Sequence, residues 1–334
     1  MLSSLLKKMY CLLVFVLVLG FSIPTSVYAQ SSTKSEGETE TFTVLSKNFV
    51  TGEETLVEYG YDYTRPTDGQ QEDENTVFTT PAFFPENDEF IMNSNVGEIT
   101  IDSIIGSDDR TQVTSTTSSP YSALGNIVGP WDQDEDGVDD TTSYCTGFME
   151  GPDLMVTAGH CVFDNGLGGW LTSLTYYPAR NGSTFPFSSA GILEISISTQ
   201  WSTYSNENYD YALVVLDRNV GGDTGWLGKG WSNGSLNGYD ISVTGYPGDK
   251  TLGTMWTAEG EITSTLTYRL KHDVDTFSGQ SGAPMYTTNG IVWGIHAKGT
   301  IPILLIFKNS GTRITEALYN MMQDKYLDGI EKYY

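Results

Sequence analysis

The chain has 334 residues, which is enough for about two domains once an export segment is set aside. Its 42 acidic residues outnumber 17 basic ones, so the formal net charge is −25 at pH 7. This charge argues against binding to nucleic acid or to anionic membrane surfaces, because both are themselves negative. It suits a soluble protein, which we expect to be a monomer.

Residues 1–29 have the features of a secretion signal. Lys7 and Lys8 precede a short apolar run at residues 11–20, and Val27 and Ala29 have the small-residue spacing of a cleavage site. The run is too short to span a bilayer comfortably, which disfavours a membrane anchor. We therefore expect the signal to be removed and the mature protein to be extracellular, free of the membrane.

Residues 30–102 are polar, with a turn-rich acidic stretch at 64–75. They lie between a signal and a denser domain, which indicates a pro-segment. A small independent N-terminal module is the alternative. If the segment is removed on maturation, the rest of the chain has its own pro-segment as a partner.

From residue 104 onward, short β-rich runs recur between Gly, Asn, Asp and Pro turns, for example at residues 154–158 and 211–216. Such spacing predicts an all-β sandwich or barrel rather than βαβ units. One C-terminal segment differs, because Thr315 is a candidate N-cap for a helix. The apolar stripe of this helix is predicted to comprise Leu318, Met321, Met322 and Leu327.

Two cysteines remain after the signal is removed, Cys145 and Cys161. In an oxidising compartment they most simply form one disulfide. Zinc would need further ligands nearby, and only His160 is available. A disulfide closing a loop of this length contributes roughly 3 kcal/mol and would support the loop that carries His160.

Three short stretches carry candidate chemistry. His160 lies in T-A-G-H-C, Asp210 opens an apolar strand, and Ser281 lies in D-T-F-S-G-Q-S-G-A-P. A supported imidazole can act as a general base, a carboxylate can fix its tautomer, and a glycine-rich loop can bring backbone N–H groups beside a hydroxyl. Taken alone, each stretch also has a purely structural interpretation: a structural histidine, an acid at a strand edge and a hairpin turn, respectively. The order His, Asp, Ser and the Ala283 after S-G disfavour an α/β-hydrolase.

Taken together, these stretches resemble the chymotrypsin-like serine peptidases over most of residues 103–325. The resemblance implies an all-β fold of two antiparallel six-stranded β-barrels closed by a C-terminal helix. The expected organisation is a signal peptide (1–29), a pro-segment (30–102), an N-terminal barrel with an acidic loop at 131–140 (103–220), and a C-terminal barrel with the terminal helix (221–334).

The same resemblance implies a role for each site residue. Ser281 would attack the substrate carbonyl, His160 would transfer the proton, and Asp210 would orient His160. The backbone amides of Gly279 and Ser281 would bind the oxyanion. No cofactor is expected for catalysis.

Further stretches resemble the bacterial glutamyl endopeptidases, V8-like and Bacillus-type: S-I-I-G-S-D-D-R-T-Q-V-T (103–114), G-Y-P-G-D-K (245–250), G-I-H (294–296) and G-T-R-I-T (311–315). This family is secreted as zymogens and cleaves after Glu, less readily after Asp. The resemblance implies that Thr276, His296 and the new α-amino group of Ser103 recognise the acidic P1 side chain. A hydroxyl, an imidazole and an ammonium can together bind a carboxylate.

Asp275 leaves a competing specificity open. It lies six residues before Ser281, where trypsin-type enzymes carry the acid that binds Lys or Arg. Broad chymotrypsin-like specificity and an inactive binding homologue are further alternatives. Against the trypsin reading, Thr276 and His296 fit acid recognition, and Bacillus-type glutamyl enzymes also have D-T here.

The run W-D-Q-D-E-D-G-V-D-D at residues 131–140 contains six acidic residues in ten. Its order resembles D-x-D-x-D-G-x-x-D calcium loops, although Ser143 at position 12 and the lack of flanking helices exclude an EF-hand. The expected ligands of this structural calcium are Asp132, Asp134, Asp136 and Asp139. A solvated acidic loop is the alternative.

Overall fold

A computed structural model of the protein describes residues 40–61, 76–85, 104–299 and 308–334. The expected signal peptide and Ser103 lie outside the described residues, as do parts of the expected pro-segment. All of the described residues belong to one unit, Thr39–Tyr334. Within them, no helix combines the length and the apolar composition that a membrane span requires.

Antiparallel strands dominate the described structure, as the short alternating runs predicted. The strands are β1 (Glu40–Asn48), β2 (Glu54–Tyr61), β3 (Val77–Thr79), β4 (Thr111–Val113), β5 (Leu124–Trp131), β6 (Thr141–Met149), β7 (Leu154–Thr157), β8 (Phe163–Asp164), β9 (Gly169–Trp170), β10 (Thr175–Pro178), β11 (Ile192–Ser198), β12 (Ala212–Leu216), β13 (Gly228–Ser232), β14 (Asp240–Gly245), β15 (Met255–Thr265), β16 (Arg269–His272), β17 (Pro284–Tyr286), β18 (Ile291–Lys298) and β19 (Asn309–Arg313). The helices are α1 (Thr199–Tyr204), α2 (Gly221–Thr224) and α3 (Glu316–Tyr333), with 3₁₀ turns at Tyr121–Ala123, Gly159–Cys161, Asn165–Leu167 and Glu207–Tyr209.

The first sheet has the order β10-β5-β6-β7-β12-β11-β1-β2. Six of these strands come from residues 124–216, and residues 40–61 add β1 and β2 as an N-terminal hairpin at one edge. Strand β1 pairs antiparallel with β11, with Val44 opposite Ser198 and Asn48 opposite Glu194. Part of the expected pro-segment therefore extends the sheet of the catalytic domain.

The second sheet closes on itself. Its strands follow the order β17-β14-β15-β16-β19-β18, and an additional β17–β18 pairing completes a six-stranded barrel. Strands β13 and β3 extend it beyond β18, and β4 pairs with β15. Because a closed barrel leaves no free edges among its own strands, it is a rigid support for loops at its rim. The predicted all-β class is confirmed, with a closed six-stranded barrel in the second sheet. Among the described strands of the first sheet, the order runs from β10 to β2 without a pairing that closes the expected second barrel.

One apolar core joins the two sheets and the terminal helix. All four residues of β7 are buried, as expected for a strand read as a continuous apolar run. The same core cluster contains Phe148 from the first sheet, Ile295 from the second and Met321 from α3. Each fully buried side chain of this size stabilises the fold by about 1.5–3 kcal/mol. The loops of the two sheets are thus fixed relative to each other.

The predicted disulfide is confirmed. Cys145 in β6 and Cys161 in the 3₁₀ turn after β7 are joined, with their Cα atoms 6.1 Å apart. The bond links two adjacent parts of the first sheet and closes a loop of 16 positions. By loop-closure entropy it contributes roughly 3 kcal/mol to stability.

Helix α3 begins as predicted and continues further. The Thr315 hydroxyl accepts a hydrogen bond from the backbone N–H of Leu318, which confirms the N-cap. Met321 and Met322 are buried, but Leu327 is 52% exposed, so its assignment to the apolar stripe was wrong. At about 100° per residue, a position nine residues after Leu318 lies on the opposite face of the helix.

Alanine substitutions in α3 should separate its two faces. We expect Met321→Ala to lower the free energy of unfolding by about 2–5 kcal/mol, because Met321 is fully buried. The exposed Leu327→Ala is the matched control, with an expected change within about 0.5 kcal/mol. Urea unfolding of the two variants measures the difference. Equal losses would mean that the helix does not dock through the Met321 face.

Candidate active site

His160 lies in the 3₁₀ turn that follows β7, beside the disulfide. Its Nδ1 is 2.8 Å from Oδ2 of Asp210, and its backbone N–H donates to Oδ1 of the same carboxylate at 2.9 Å. Gly159 allows this approach, because a Cβ there would meet Asp210 and Trp201 at about 3.1 Å. Asp210 therefore holds both the imidazole and the backbone of the turn.

Asp210 is itself held by the second sheet. It immediately follows the Glu207–Tyr209 turn, and its carbonyl accepts a hydrogen bond from the Thr312 hydroxyl of β19 at 3.0 Å. Partial burial lowers the pKa of His160, but the charge of Asp210 and its hydrogen bond raise it, and the pKa ends above its usual value. The side chain of His160 stays 28% exposed and open to solvent.

Thr146 brings the serine loop to the histidine turn. Thr146 follows Cys145 in β6 and is fully buried. Its N–H donates to the carbonyl of Ser281 at 2.9 Å, and its hydroxyl donates to the carbonyl of Gly279, also at 2.9 Å. A Cβ at Gly282 would lie 2.1 Å from the Thr146 carbonyl oxygen, and Gly282 has φ +86°. Only glycine at 282 permits the half-buried Ser281 to approach the strand this closely.

The backbone around Gly279 is also constrained. The carbonyl of Ser278 accepts a hydrogen bond from the N–H of Gly248 at 2.7 Å. In a trans peptide the N–H points opposite the carbonyl, so the Gly279 N–H is directed away from Gly248. Gly279 has φ +97°, and a Cβ there would meet the Tyr246 carbonyl at 2.5 Å. Glycine is required at this position of the loop as well.

Both oxygens of Asp275 are occupied by backbone donors. The N–H of Ile105 donates to Oδ1 at 2.6 Å, and that of Asp109 donates to Oδ2 at 3.1 Å. Asp275 is only 2% exposed, and burial raises its pKa. The carboxylate thus fastens the segment that starts at residue 104 to the serine loop.

Thr276 and His296 are both buried, and each has a feature of a binding group. The Thr276 hydroxyl has no hydrogen-bond partner among the described residues. Burial lowers the pKa of His296 well below its usual value, and the nearby His272, His160 and Arg269 lower it further. His296 is therefore neutral near pH 7 when no acid is bound.

The sequence did not single out His272, although it contacts His296. Its Nε2 is 3.1 Å from Nδ1 of His296, and it is fully buried. Burial lowers the pKa of His272 to about 3, so this ring is neutral too. His272 lies on β16 and His296 on β18, with β19 between them. Only the strand order shows that the two rings meet.

Arg110 is a second residue whose role the sequence did not show. This buried guanidinium forms ion pairs with Asp108 at 2.8 Å and Asp249 at 2.6 Å, and its pKa is raised by both partners. Its Nη1 also contacts Oε1 of Gln280 at 3.5 Å, directly before Ser281. The segment after residue 104 therefore supports the serine loop at two points, Asp275 and Gln280.

The acidic loop connects β5 to β6 at the surface. Carboxylate oxygens of Asp132, Asp134 and Asp136 lie within 4.8 Å of one another. Asp132 already accepts the N–H of Gly137 at 2.7 Å. Asp139 lies outside this group, and its Oδ1 accepts the Thr172 hydroxyl at 2.6 Å. The structure thus groups three of the four expected calcium ligands, and calcium binding stays a prediction.

Comparison with known proteins identifies a peptidase family model and several peptidase relatives. Residues 145–295 match a family model described as a trypsin-like peptidase domain. A glutamyl endopeptidase of Bacillus licheniformis is 36% identical over 228 residues, 66% of this chain and 68% of the relative. An extracellular metalloprotease of Bacillus subtilis is 37% identical over 238 residues, 70% of this chain and 72% of the relative. A solved Glu endopeptidase in complex with MPD has a TM-score of 0.57 and 27% identity, covering 67% of this chain and 99% of that one.

The aligned part of the chain holds the histidine turn and the serine loop, and the solved relative shares the arrangement of strands that positions them. The similarity to the Bacillus licheniformis enzyme covers two thirds of that protein. The chain is therefore a serine endopeptidase that acts on protein substrates, and it belongs to the bacterial glutamyl endopeptidase family of chymotrypsin-like serine peptidases.

Proposed function

We propose that the chain is a secreted endopeptidase, made as a zymogen, that cleaves after Glu and less readily after Asp. His160, Asp210 and Ser281 form its catalytic triad. The observation that carries this proposal is the Asp210 carboxylate bound to Nδ1 of His160, beside a serine loop attached through Thr146. Ser281 is in the position of the nucleophile in the family's motif.

In the proposed reaction, the Ser281 hydroxyl attacks the scissile carbonyl while Nε2 of His160 removes its proton. Asp210 keeps the proton of the resting imidazole on Nδ1 and stabilises the imidazolium that forms. The N–H groups of Gly279 and Ser281 bind the oxyanion of the tetrahedral intermediate. His160 then protonates the leaving amine, and water hydrolyses the acyl-enzyme by the same steps in reverse.

The proposed P1 pocket uses Thr276 and His296, with the α-amino group of Ser103 completing it after processing. The buried hydroxyl, which has no hydrogen-bond partner in the described part of the chain, and the buried neutral imidazole are suited to receive a carboxylate. A carboxylate in the pocket would raise the pKa of His296 and favour its charged form. The hydrogen bond through Nδ1 to His272 leaves Nε2 of His296 available for the substrate.

The trypsin-like alternative depends on a free carboxylate at Asp275. Both oxygens of that carboxylate accept backbone N–H groups, from Ile105 and Asp109. A Lys or Arg side chain would have to displace these donors from a buried group. This observation supports the choice of acidic over basic specificity.

A metal-dependent peptidase is the second candidate, because the name of the Bacillus subtilis relative contains that activity. In the described part of the chain, the one histidine-containing group of three potential metal ligands is Cys145, His160 and Cys161. Its two sulfurs are joined in a disulfide, so they cannot act as thiolate ligands. The donor set at His160 therefore supports the serine mechanism.

The proposed zymogen differs from one whose active site is blocked. His160 remains 28% exposed with the N-terminal hairpin paired to β11. We propose instead that the uncut chain lacks the Ser103 ammonium that completes the P1 pocket. The segment that starts at residue 104 is already joined to the serine loop through Asp275 and Arg110.

Peptides that differ only at P1 test the specificity. We expect cleavage after Glu, weaker cleavage after Asp, and little after Gln, Lys or Phe. His296→Asn should lower kcat/KM for Glu by roughly 10- to 100-fold, because a hydrogen bond to a charged group is lost, and change the rate for Gln little. A serine-directed reagent should label Ser281 in both proteins, which shows that the site is intact. Cleavage after Lys or Arg but not Glu would refute the acidic specificity.

The pH profile of kcat/KM tests the pair of His160 and Asp210. His160 must be neutral to act as a base, so activity should fall as the pH drops through its raised pKa. In Asp210→Asn the main cause of the raised pKa is lost, so the acid limb should move to lower pH while kcat falls about 10³- to 10⁴-fold. Asp164→Asn is the control, with a smaller shift and near-normal kcat. An unmoved acid limb in Asp210→Asn would contradict the assignment.

We also propose that the acidic loop binds structural calcium through Asp132, Asp134 and Asp136. A chelator should then lower the Tm of the wild type but not that of Asp134→Ala/Asp136→Ala. Without calcium, three carboxylates this close repel one another, so the double variant should not be less stable than the chelated wild type. Tm measured by differential scanning fluorimetry with and without calcium decides the question. The same response in both proteins would indicate a solvated acidic loop that does not bind calcium.

A further inference from the structure

Residues 76–85, named here the docked segment, lie along the outer edge of the second sheet. Strand β3 within the segment pairs antiparallel with β13, with Phe78 opposite Trp231 and Val77 opposite Ser232. Strand β13 has β18 on its other side. The docked segment thus covers the edge of the sheet that β13 would otherwise present to solvent.

Backbone hydrogen bonds continue past the end of β3. The N–H of Thr80 donates to the carbonyl of Lys229 at 2.9 Å. Phe83 and Trp226 exchange both of their backbone hydrogen bonds, at 2.9 Å and 2.7 Å. The ladder therefore satisfies backbone groups of the catalytic domain over most of the segment's length.

Two aromatic pairs fasten the segment to the domain. Phe78 stacks on Trp231 with ring centroids 5.2 Å apart, and Phe83 stacks on Trp226 with centroids 4.3 Å apart. With the segment in place, Trp226 is 6% and Trp231 is 9% exposed. Removal of the segment would uncover the faces of both indoles together with the free edge of β13.

At two glycines of the catalytic domain, the backbone of the segment occupies the space that a side chain would need. A Cβ at Gly228 would lie 2.1 Å from the carbonyl oxygen of Thr80. A Cβ at Gly225 would lie 2.5 Å from that of Phe83. Any larger residue at either position would push the backbone of the segment away. The domain therefore has a groove whose shape matches these ten residues.

The sequence of the segment, T-V-F-T-T-P-A-F-F-P, contains no charged residue. Acidic residues lie on both sides of it, including Glu74 and Glu86. A peptidase that cleaves after Glu can therefore cut on either side of the segment but has no site within it. Processing by the enzyme itself would trim its pro-segment down to the part that is docked.

We propose that the docked segment stays on the catalytic domain after the chain is processed, as a separate strand held without a covalent link. The occupant of the β13 groove in the mature enzyme is then a fragment of its own pro-segment. The ends of that fragment rest on the proposed cleavage after Glu, whereas its retention rests on the contacts with β13. The retained strand would keep the two indoles and the sheet edge covered.

Mass spectrometry of the full chain after processing tests the proposal. Wild-type protein is allowed to process itself, and Ser281→Ala protein is cut with an added glutamyl-specific peptidase. After native size-exclusion chromatography, each is weighed under native and under denaturing conditions. We expect about one fragment containing residues 76–85 per catalytic domain in the native spectra of both, released in the denaturing spectra.

Variants in the full chain identify the contacts that matter. Phe83→Ala removes a stacked ring and should lower the retained fraction at least roughly tenfold. Gly228→Ala should abolish retention, because its methyl group displaces the Thr80 carbonyl. Thr79→Ala, an exposed position of the same strand, is the control and should retain the fragment fully. Peptidase activity of the processed variants shows whether the catalytic domain has folded.

The outcomes separate this proposal from the specificity. A retained fragment that begins at Asn75 and ends at Glu86 in the wild type, as cuts after Glu74 and Glu86 would leave it, supports both. A retained fragment with other ends supports the docking and contradicts cleavage after Glu. A catalytic domain free of the fragment in the Ser281→Ala digest overturns the docking, whatever the specificity, and so does equal retention in Gly228→Ala and Thr79→Ala.

Discussion

The structure of the active site depends on the hydrogen bonds made by Thr146. This buried residue binds the carbonyls of Gly279 and Ser281 from the serine loop, and its own carbonyl accepts the hydroxyl of Thr157, two residues before Gly159. Its neighbour Cys145 is bonded to Cys161. One position of β6 is therefore connected to both the histidine turn and the serine loop of the candidate site. Since buried polar groups are costly to leave unpaired, the two loops cannot separate without losing several hydrogen bonds at once.

The candidate site also shows how a strongly acidic protein can place neutral and cationic groups around one region. The buried groups His296 and His272 are neutral. Further out lie the half-buried Arg269 and the exposed Lys298, which both bind Glu207. Asp275 is the exception, and its charge is directed to backbone N–H groups. The net charge of −25 acts over long distances and is screened by salt, whereas contacts between buried groups are screened much less.

Much of the fold and the core of the candidate site could be predicted from the sequence. Alternating runs indicated the strands, the cysteine count indicated the disulfide, and Thr315 marked the start of the helix. The prediction for Leu327 was wrong because this residue lies about 180° around the helix from Leu318, on the exposed face. Asp139 was expected among the calcium ligands, but the structure pairs it with the Thr172 hydroxyl, a contact across 33 positions that no local pattern indicates. The role of His272 depends on β19 lying between two other strands, which no local pattern encodes.

The sequence by itself determined which short stretches were candidates for chemistry: a histidine beside a cysteine, an aspartate opening a strand, and a serine between glycines. These are properties of residue type and short spacing, which local chemistry is sufficient to interpret. Only the tertiary structure decided what each group faces. In the folded chain, Asp275 accepts hydrogen bonds from the backbone of Ile105 and Asp109, and His272 contacts His296. Residues 76–85 pair with β13. Such pairings join residues far apart in the chain, and they arise because burying one shared core brings distant strands together.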